Sequence, residues 1–258
     1  MEFLISTLTI FTSLLSAGGL IFNNTFANAI KERSHAVEEI EVRVENVPTH
    51  NILKGEIDSI KLATRGWELR ENFRLEVFEL ETDPLKFDFG RIREINADNW
   101  QEIFELPLNF GLRTVMTEDD LNRLVRSPRV QNIITQFIPP SSPAGFQIQD
   151  INFDLKSDQR IRINTIAQSQ QSPGRQLNFS LEISVNLVEG NRLEISNPQG
   201  TLNGQPVSNE LLQSFTDSIN MQLDLRRLEP SGIIARFLQF DVTEGSIELA
   251  TLIHIADR

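Results

Sequence analysis

The chain contains no cysteine and no tyrosine, and it has two tryptophans against 17 phenylalanines. Without thiols there is no disulfide, no thiolate nucleophile and no zinc–thiolate centre. Without tyrosine there is no phenolic hydroxyl to give an apolar pocket its polar tip, so the aromatic content suits a dry interior. Reaction motifs are missing too. No G-x-S-x-G element or glycine-rich phosphate loop is present. The histidines, His35, His50 and His254, lie far apart in unlike contexts. His254 falls on the outward parity of the last strand and reads as a solvated histidine. No metal cluster or cofactor motif is expected, and an enzyme is the most remote reading. Basic residues are outnumbered, 24 against 36 acidic, for a net charge of -12. A nucleic-acid surface, which sets clustered Lys and Arg on phosphates, is not expected. Contact with a membrane should therefore be apolar rather than electrostatic.

What is present begins with a charge-free run from Phe3 to Phe22, just long enough to cross a bilayer. Its hydroxyls and Gly18-Gly19 weaken it as a spanning helix, and Glu2 stands where a signal peptide carries a basic residue. Signal, anchor and interfacial helix all remain open for residues 1–20. Phe3, Leu4, Ile5, Phe11, Leu14 and Leu15 are the membrane-contact candidates. Beyond it, Phe22, Phe26, Ala29, Ile30 and Arg33 recur at helical spacing, so Ala27-Asn28-Ala29 reads as helix rather than cleavage site. Residues 21–258 then form one domain, with an internal boundary at the Pro/Ser/Gly-rich stretch 139–145.

From Glu39 the period changes to two. Ile40, Val42 and Val44 face one way and their charged neighbours the other. Strands follow with Ile60 and Leu62 inward, and from Phe73 to Glu81. In the latter, Phe73, Leu75 and Val77 share one parity and Phe78 and Leu80 the other, which predicts a β-bulge at Val77-Phe78. A short helix is expected around Trp100, Ile103 and Phe104. Thr117 caps a helix whose Asp119 and Asp120 read as a solvated first turn, with Leu121, Leu124 and Val125 inward. Val130 to Ile138 marks a second amphipathic helix. The clearest strand places Leu177, Phe179, Leu181, Ile183, Val185 and Leu187 on one face. Ser208 begins a helix with a stripe of Leu211, Leu212, Phe215, Ile219 and Leu223. A hairpin around Glu244-Gly245 closes the chain.

Nearly every strand has one apolar and one polar face, which excludes a doubly wound parallel sheet. There are few helices to cover so much sheet. The expected fold is α+β: a long, strongly coiled antiparallel β-sheet wrapped around one or two amphipathic helices, after an N-terminal apolar helix. If such a sheet stays open it leaves an apolar groove suited to acyl chains.

Several segments carry a resemblance: Phe26-Ala27-Asn28-Ala29-Ile30; Leu80-Glu81-Thr82-Asp83-Pro84-Leu85; Met116-Thr117-Glu118-Asp119-Asp120-Leu121-Asn122; and Leu223-Asp224-Leu225 through Ser231-Gly232-Ile233-Ile234-Ala235-Arg236. With Gln239-Phe240-Asp241-Val242-Thr243-Glu244-Gly245, in this order, they resemble the bacterial LmeA family of phospholipid-binding proteins. The resemblance implies a tubular lipid-binding architecture, phospholipid and membrane as partners, and a place in the cell envelope. No catalytic residues carry over from it. Phe87, Phe89, Phe153, Phe179, Leu181, Ile183, Phe237 and Phe240 are the candidate lining of the groove, each weighed against plain core packing. The alternative is a membrane-tethered interaction module without a lipid. The family favours the periplasmic face, whereas Lys31 and Arg33 after the run leave the cytoplasmic face open. A protein partner is not legible.

Overall fold

The structure is a computed structural model that describes residues 27–28, 30–32, 34–46, 54–88, 104–105, 107–128, 130–131, 146–169, 174 and 176–256. The apolar run with its six membrane-contact candidates, Phe89, Trp100, Ile103, Ile133 to Ile138 and the stretch 139–145 lie outside these residues. Among the described residues strand dominates: 63% are in sheet, helices are few and the sheets are not closed. The strands form a six-stranded sheet, a five-stranded sheet and a two-stranded ribbon rather than one continuous sheet. Two compact units result. The first takes in 1–114, 226–238 and 250–258, and the second 115–225 and 239–249.

In the first unit, β1 (Ala36–Glu45), β3 (Ser59–Arg70) and β4 (Phe73–Thr82) pair antiparallel at one end of the six-stranded order β1-β3-β4-β6-β13-β12. Alternation sets the register. Val42 opposes Leu62, Leu62 opposes Leu80, and Thr64 opposes Phe78, so that all face one core. Phe78 and Leu80 are buried as their spacing requires, but the pairing does not slip at Val77-Phe78. It runs unbroken from Lys61↔Glu81 to Glu68↔Arg74, and the irregularity lies between Glu68 and Arg70. The change of face is instead shared by β3 and β4 at Gly66, whose φ of 57° only glycine adopts freely. Beyond it, the odd-numbered Trp67 and Leu69 are buried on β3, where the even-numbered Ile60, Leu62 and Thr64 were before it, and Trp67 opposes the buried Leu75.

This end of β3 is held by the chain before β1. Residues 27, 28 and 30–32 are helical, and Ile30 is fully buried. One turn later the Ser34 hydroxyl donates to the Ile30 carbonyl at 2.6 Å and accepts from Trp67 Nε1 at 2.6 Å. His35 N–H donates to Glu68 O. The helix end is thereby bonded to β3, and Trp67 meets Phe78 edge-on with ring centroids 5.0 Å apart.

The ribbon pairs β2 (Glu56–Ile57) with β5 (Leu85–Lys86), burying Ile57 and Leu85. Gly55 has a φ of 80°, and a Cβ there would lie 1.9 Å from Phe87 O. Phe87 N–H donates to Gly55 O at 2.8 Å. Phe104 is not helical. It forms an antiparallel bridge with Phe87, and the two buried rings lie with centroids 6.4 Å apart. Later in the sheet lie β6 (Leu108–Thr117), β12 (Ile233–Thr243) and β13 (Ser246–Ile255), the last two joined at Gly245 with φ 88°. His254 is partly buried rather than solvated, with Nδ1 2.7 Å from Asn109 Oδ1.

The second unit is built on the order β11-β10-β9-β8-β7, comprising β7 (Phe146–Lys156), β8 (Arg160–Ser169), β9 (Gln176–Val188), β10 (Arg192–Leu202) and β11 (Gln205–Pro206). The thirteen residues of β9 cover the long alternating run expected there. Asn203 and Gly204, with φ of 49° and 78°, make the tight β10–β11 turn. β10 carries a register shift between Ser196 and Gln199.

Two helices serve this sheet. Helix α1 (Glu118–Val125) starts at Thr117, whose Oγ1 accepts from Asp120 N at 3.2 Å. Asp120 is buried, not solvated. Thr117 Oγ1 donates to its Oδ2 and Arg123 Nη2 to its Oδ1, so the carboxylate is satisfied without water. Helix α2 (Asn209–Asn220) follows Ser208, which makes no side-chain cap bond. Leu212 and Thr216 are its buried residues, Phe215 and Ile219 pack half-buried against the same cluster, as does Leu223 just past the helix end, and only Leu211 of the expected stripe is exposed. Leu212 is seated over Gly200, where a Cβ would stand 2.8 Å from Leu212 Cδ2.

Candidate functional site

Five of the eight candidate lining residues come together in the second unit. Leu181 and Ile183 belong to a closed aliphatic cluster with Leu155, Val185, Leu212 and Val242. Phe153, Phe179 and Phe240 pack against that cluster but stay partly exposed, as does Phe215 of α2. The layer is thus graded, with only aliphatic side chains at the centre and, at the rim, these rings alongside half-buried aliphatic side chains such as Leu121, Ile163, Leu193 and Ile247. Phe87 and Phe237 are buried in the first unit, and Phe89 is outside the described residues.

Side-chain amides hold this layer in place. Asn122 of α1 donates from Nδ2 to Phe153 O at 2.8 Å and accepts from Phe153 N at 2.7 Å. Glu118 Oε2 accepts from Leu155 N at 2.7 Å. Asn220 does the same for Ile195, accepting from its N at 2.7 Å and donating to its O at 3.1 Å. Gln159 donates to Phe240 O at 3.1 Å and accepts from Val242 N at 2.8 Å. Each amide presents one donor and one acceptor, as a backbone peptide does, and so completes a ladder where no strand continues. Sequence reasoning missed all three, because a side chain's remote backbone partner leaves no local signal.

The polar face of the same sheet is a lattice of ions. Arg162 opposes Glu182 in register and donates to it at 2.8 Å, and Arg160 adds a bond at 3.1 Å. The hydrogen bond from Arg162 holds the Glu182 carboxyl below the usual range, against a smaller opposing effect of burial. The same bond raises Arg162.

The first unit has a groove of 460 Å³, on the outward face of its sheet. Glu41, Arg43, Lys61, Glu79, Glu81 and Arg113 line it. They are paired across strands, Lys61 with Glu81 at 3.0 Å and Arg113 with Glu79 at 3.1 Å. The hydrogen bond to Glu81 and the charge of Glu45 raise the Lys61 amine. A floor of Ala63 and Gly111 makes the hollow, visible only once strand register is known. Leu62, Leu80, Leu112 and Leu238 line it as well, so its surface is mostly apolar between charged heads, and none of the candidate lining residues is among them.

Among the described residues no group of three or more His, Asp or Glu side chains could hold a metal ion, and no helix is long and apolar enough to cross a membrane. No individually curated protein matches the chain. The model of the LmeA-like phospholipid-binding family matches residues 15–251, across both units, and the chain belongs to that family.

Proposed function

We propose that this protein is a non-enzymatic phospholipid-binding protein that holds acyl chains against the apolar face of its second unit, between the five-stranded sheet and α2. The observation that carries the reading is the graded layer. Phe153, Phe179 and Phe240 leave ring surface exposed around a closed aliphatic centre, instead of filling it. A core built only for stability gains most by burying its largest rings. Rings kept at a rim supply apolar surface to a ligand whose chains have none but methylene groups to offer. Family membership supports the phospholipid. The absence of nucleophile motifs in the sequence supports binding without chemistry. Lipid transfer or maintenance of envelope lipids is the role proposed for such a carrier. The charge-free run Phe3 to Phe22 favours association with a membrane, and the family resemblance favours the periplasmic face of the cell envelope over the cytoplasmic face that Lys31 and Arg33 leave open.

The test is extraction of the purified protein followed by mass spectrometry. Phospholipid at one equivalent, displaced by added lipid, is the expected result. Protein that carries no lipid and takes none up from vesicles overturns the reading.

A further inference from the structure

The groove of the first unit touches every strand of its sheet. Glu41 of β1, Ala63 of β3, Glu79 of β4, Gly111 of β6, Thr251 of β13 and Leu238 of β12 border it, in that strand order. The backbone does not require the hollow. Gly111 lies inside β6, has no positive φ, and a Cβ added there would meet nothing within 4 Å. Neither conformation nor crowding therefore calls for glycine. A glycine inside a strand weakens it, and one left in open space marks a place where something else approaches the backbone. Ala63 is the second small residue of the floor, exposed and set in register between Glu41 and Glu79.

Around this hollow the two signs of charge are kept apart. Arg43 stands directly opposite Lys61, and two residues along the strands Glu41 and Glu79 flank Ala63. Like charges directly opposite one another weaken a sheet, so a ladder kept for stability alone would alternate them. The cationic and acidic rows lie about 7 Å apart along the strands. Each cation already has a carboxylate: Arg43 has Glu41 at 3.4 Å, Lys61 has Glu81 at 3.0 Å and Arg113 has Glu79 at 3.1 Å. A ligand of one sign breaks such a pair and leaves one member unmatched. A zwitterion brings both signs and matches both members. The other side of the groove is different. Leu238 is 64% exposed, and no charged side chain of β12 or β13 lines the groove. An apolar body lying there removes Leu238 from water.

We propose that this groove binds a small zwitterionic amphiphile, with its anion on Arg43 and Lys61, its ammonium over Ala63 between Glu41 and Glu79, and its apolar body over Gly111 toward Leu238. The short distance between the two rows matches a head in which phosphate and ammonium are a few bonds apart, as in a single-chain phosphocholine. A volume of 460 Å³ is that of a small-molecule site. The site lies wholly within the first unit and does not depend on the acyl-chain layer assigned to the second.

Titration calorimetry on the full chain tests the site with four probes, each below its micelle concentration: octylphosphocholine, octyl sulfate, octyltrimethylammonium, and phosphocholine without a chain. Octylphosphocholine should bind, and each of the other three should bind about tenfold more weakly or less. Ala63→Leu combined with Gly111→Val fills the hollow. This variant should weaken octylphosphocholine binding by about tenfold or more, while its denaturation midpoint stays level or rises, since valine suits a strand better than glycine. Arg43→Gln changes an exposed side chain and should weaken binding severalfold with the fold intact. Equal binding of all four probes, or wild-type affinity in both variants, overturns the site. Loss of binding in Phe153→Ala with Phe179→Ala but not in the filled variant puts the probe on the second unit's layer and overturns it as well. If filling the hollow changes the sedimentation of ligand-free protein, a second copy of the chain is the occupant and the assignment fails.

Discussion

The two units bury opposite things. In the first, the largest rings are inside: Trp67 and Phe78 are essentially inaccessible, and Phe87, Phe104 and Phe237 are buried. In the second, the buried cluster is aliphatic, and Phe153, Phe179, Phe215 and Phe240 stay at its margin. Both units use one-sided antiparallel strands, so the difference does not come from the type of structure. It comes from where ring surface is spent. The first unit buries five rings and leaves Phe73 and Phe110 half-buried, whereas the second leaves all four of these rings half-buried.

Trp67→Ala should show the largest effect in the first unit. It removes a buried indole, its bond to Ser34 and its contact with Phe78, and about 3–5 kcal/mol of stability should be lost in a denaturant titration. Phe153→Ala with Phe179→Ala should invert the pattern. Each should cost about 1 kcal/mol or less, since the rings are already partly wet, while phospholipid uptake falls severalfold. If the pair destabilises as much as Trp67→Ala and leaves uptake intact, the contrast between the units is wrong. Gly55→Ala forces a side chain into a positive φ and against Phe87 O, for an expected cost of about 1–3 kcal/mol without effect on uptake. Asn220→Ala leaves Ile195 N–H and C=O without their partner and should cost about 1–3 kcal/mol. In the second unit such a loss should be recovered in part by bound lipid, read as a lipid-dependent rise in Tm.

The smallest effect is electrostatic. Glu182 has its folded pKa depressed, chiefly by the Arg162 hydrogen bond. Its contribution is therefore present above the unfolded carboxylate pKa and lost as pH falls through the folded value. Glu182→Gln should lower stability by under about 1 kcal/mol at neutral pH, given how exposed the pair is. The difference from wild type should vanish in acid.

Period-two alternation made the strands legible, because each residue declares its own face. β9 and β1 were readable for that reason. What alternation cannot encode is how neighbouring strands respond to one another. The parity change at Val77-Phe78 is real, yet it is absorbed by Gly66 on the adjacent strand, a residue whose own surroundings give no hint of it. Helix faces were readable only to within one position. Leu212 turns inward rather than Leu211 because Gly200, on another strand, leaves space for it. Asp120 looked like any acidic first-turn residue until Arg123 and Thr117 closed over it. The site was legible as a class, apolar and without chemistry, and Phe153, Phe179, Leu181, Ile183 and Phe240 do share one layer. That the rings lie at the margin and the aliphatics at the centre could not be read, since both occupy the same inward parity.

The amide of Asn122 has a consequence beyond the layer it braces. β7 ends its sheet, and an unclosed terminal strand is a template for a foreign one. Asn122 and Glu118 occupy the outward groups of Phe153 and Leu155 before another chain can. Remove them, and the surface on offer fits any strand of matching twist, including one from an identical molecule. Antiparallel pairing of this same edge in two copies is isologous and closes as a dimer. Asn122 and Glu118 thus keep this edge from serving a second copy of the chain.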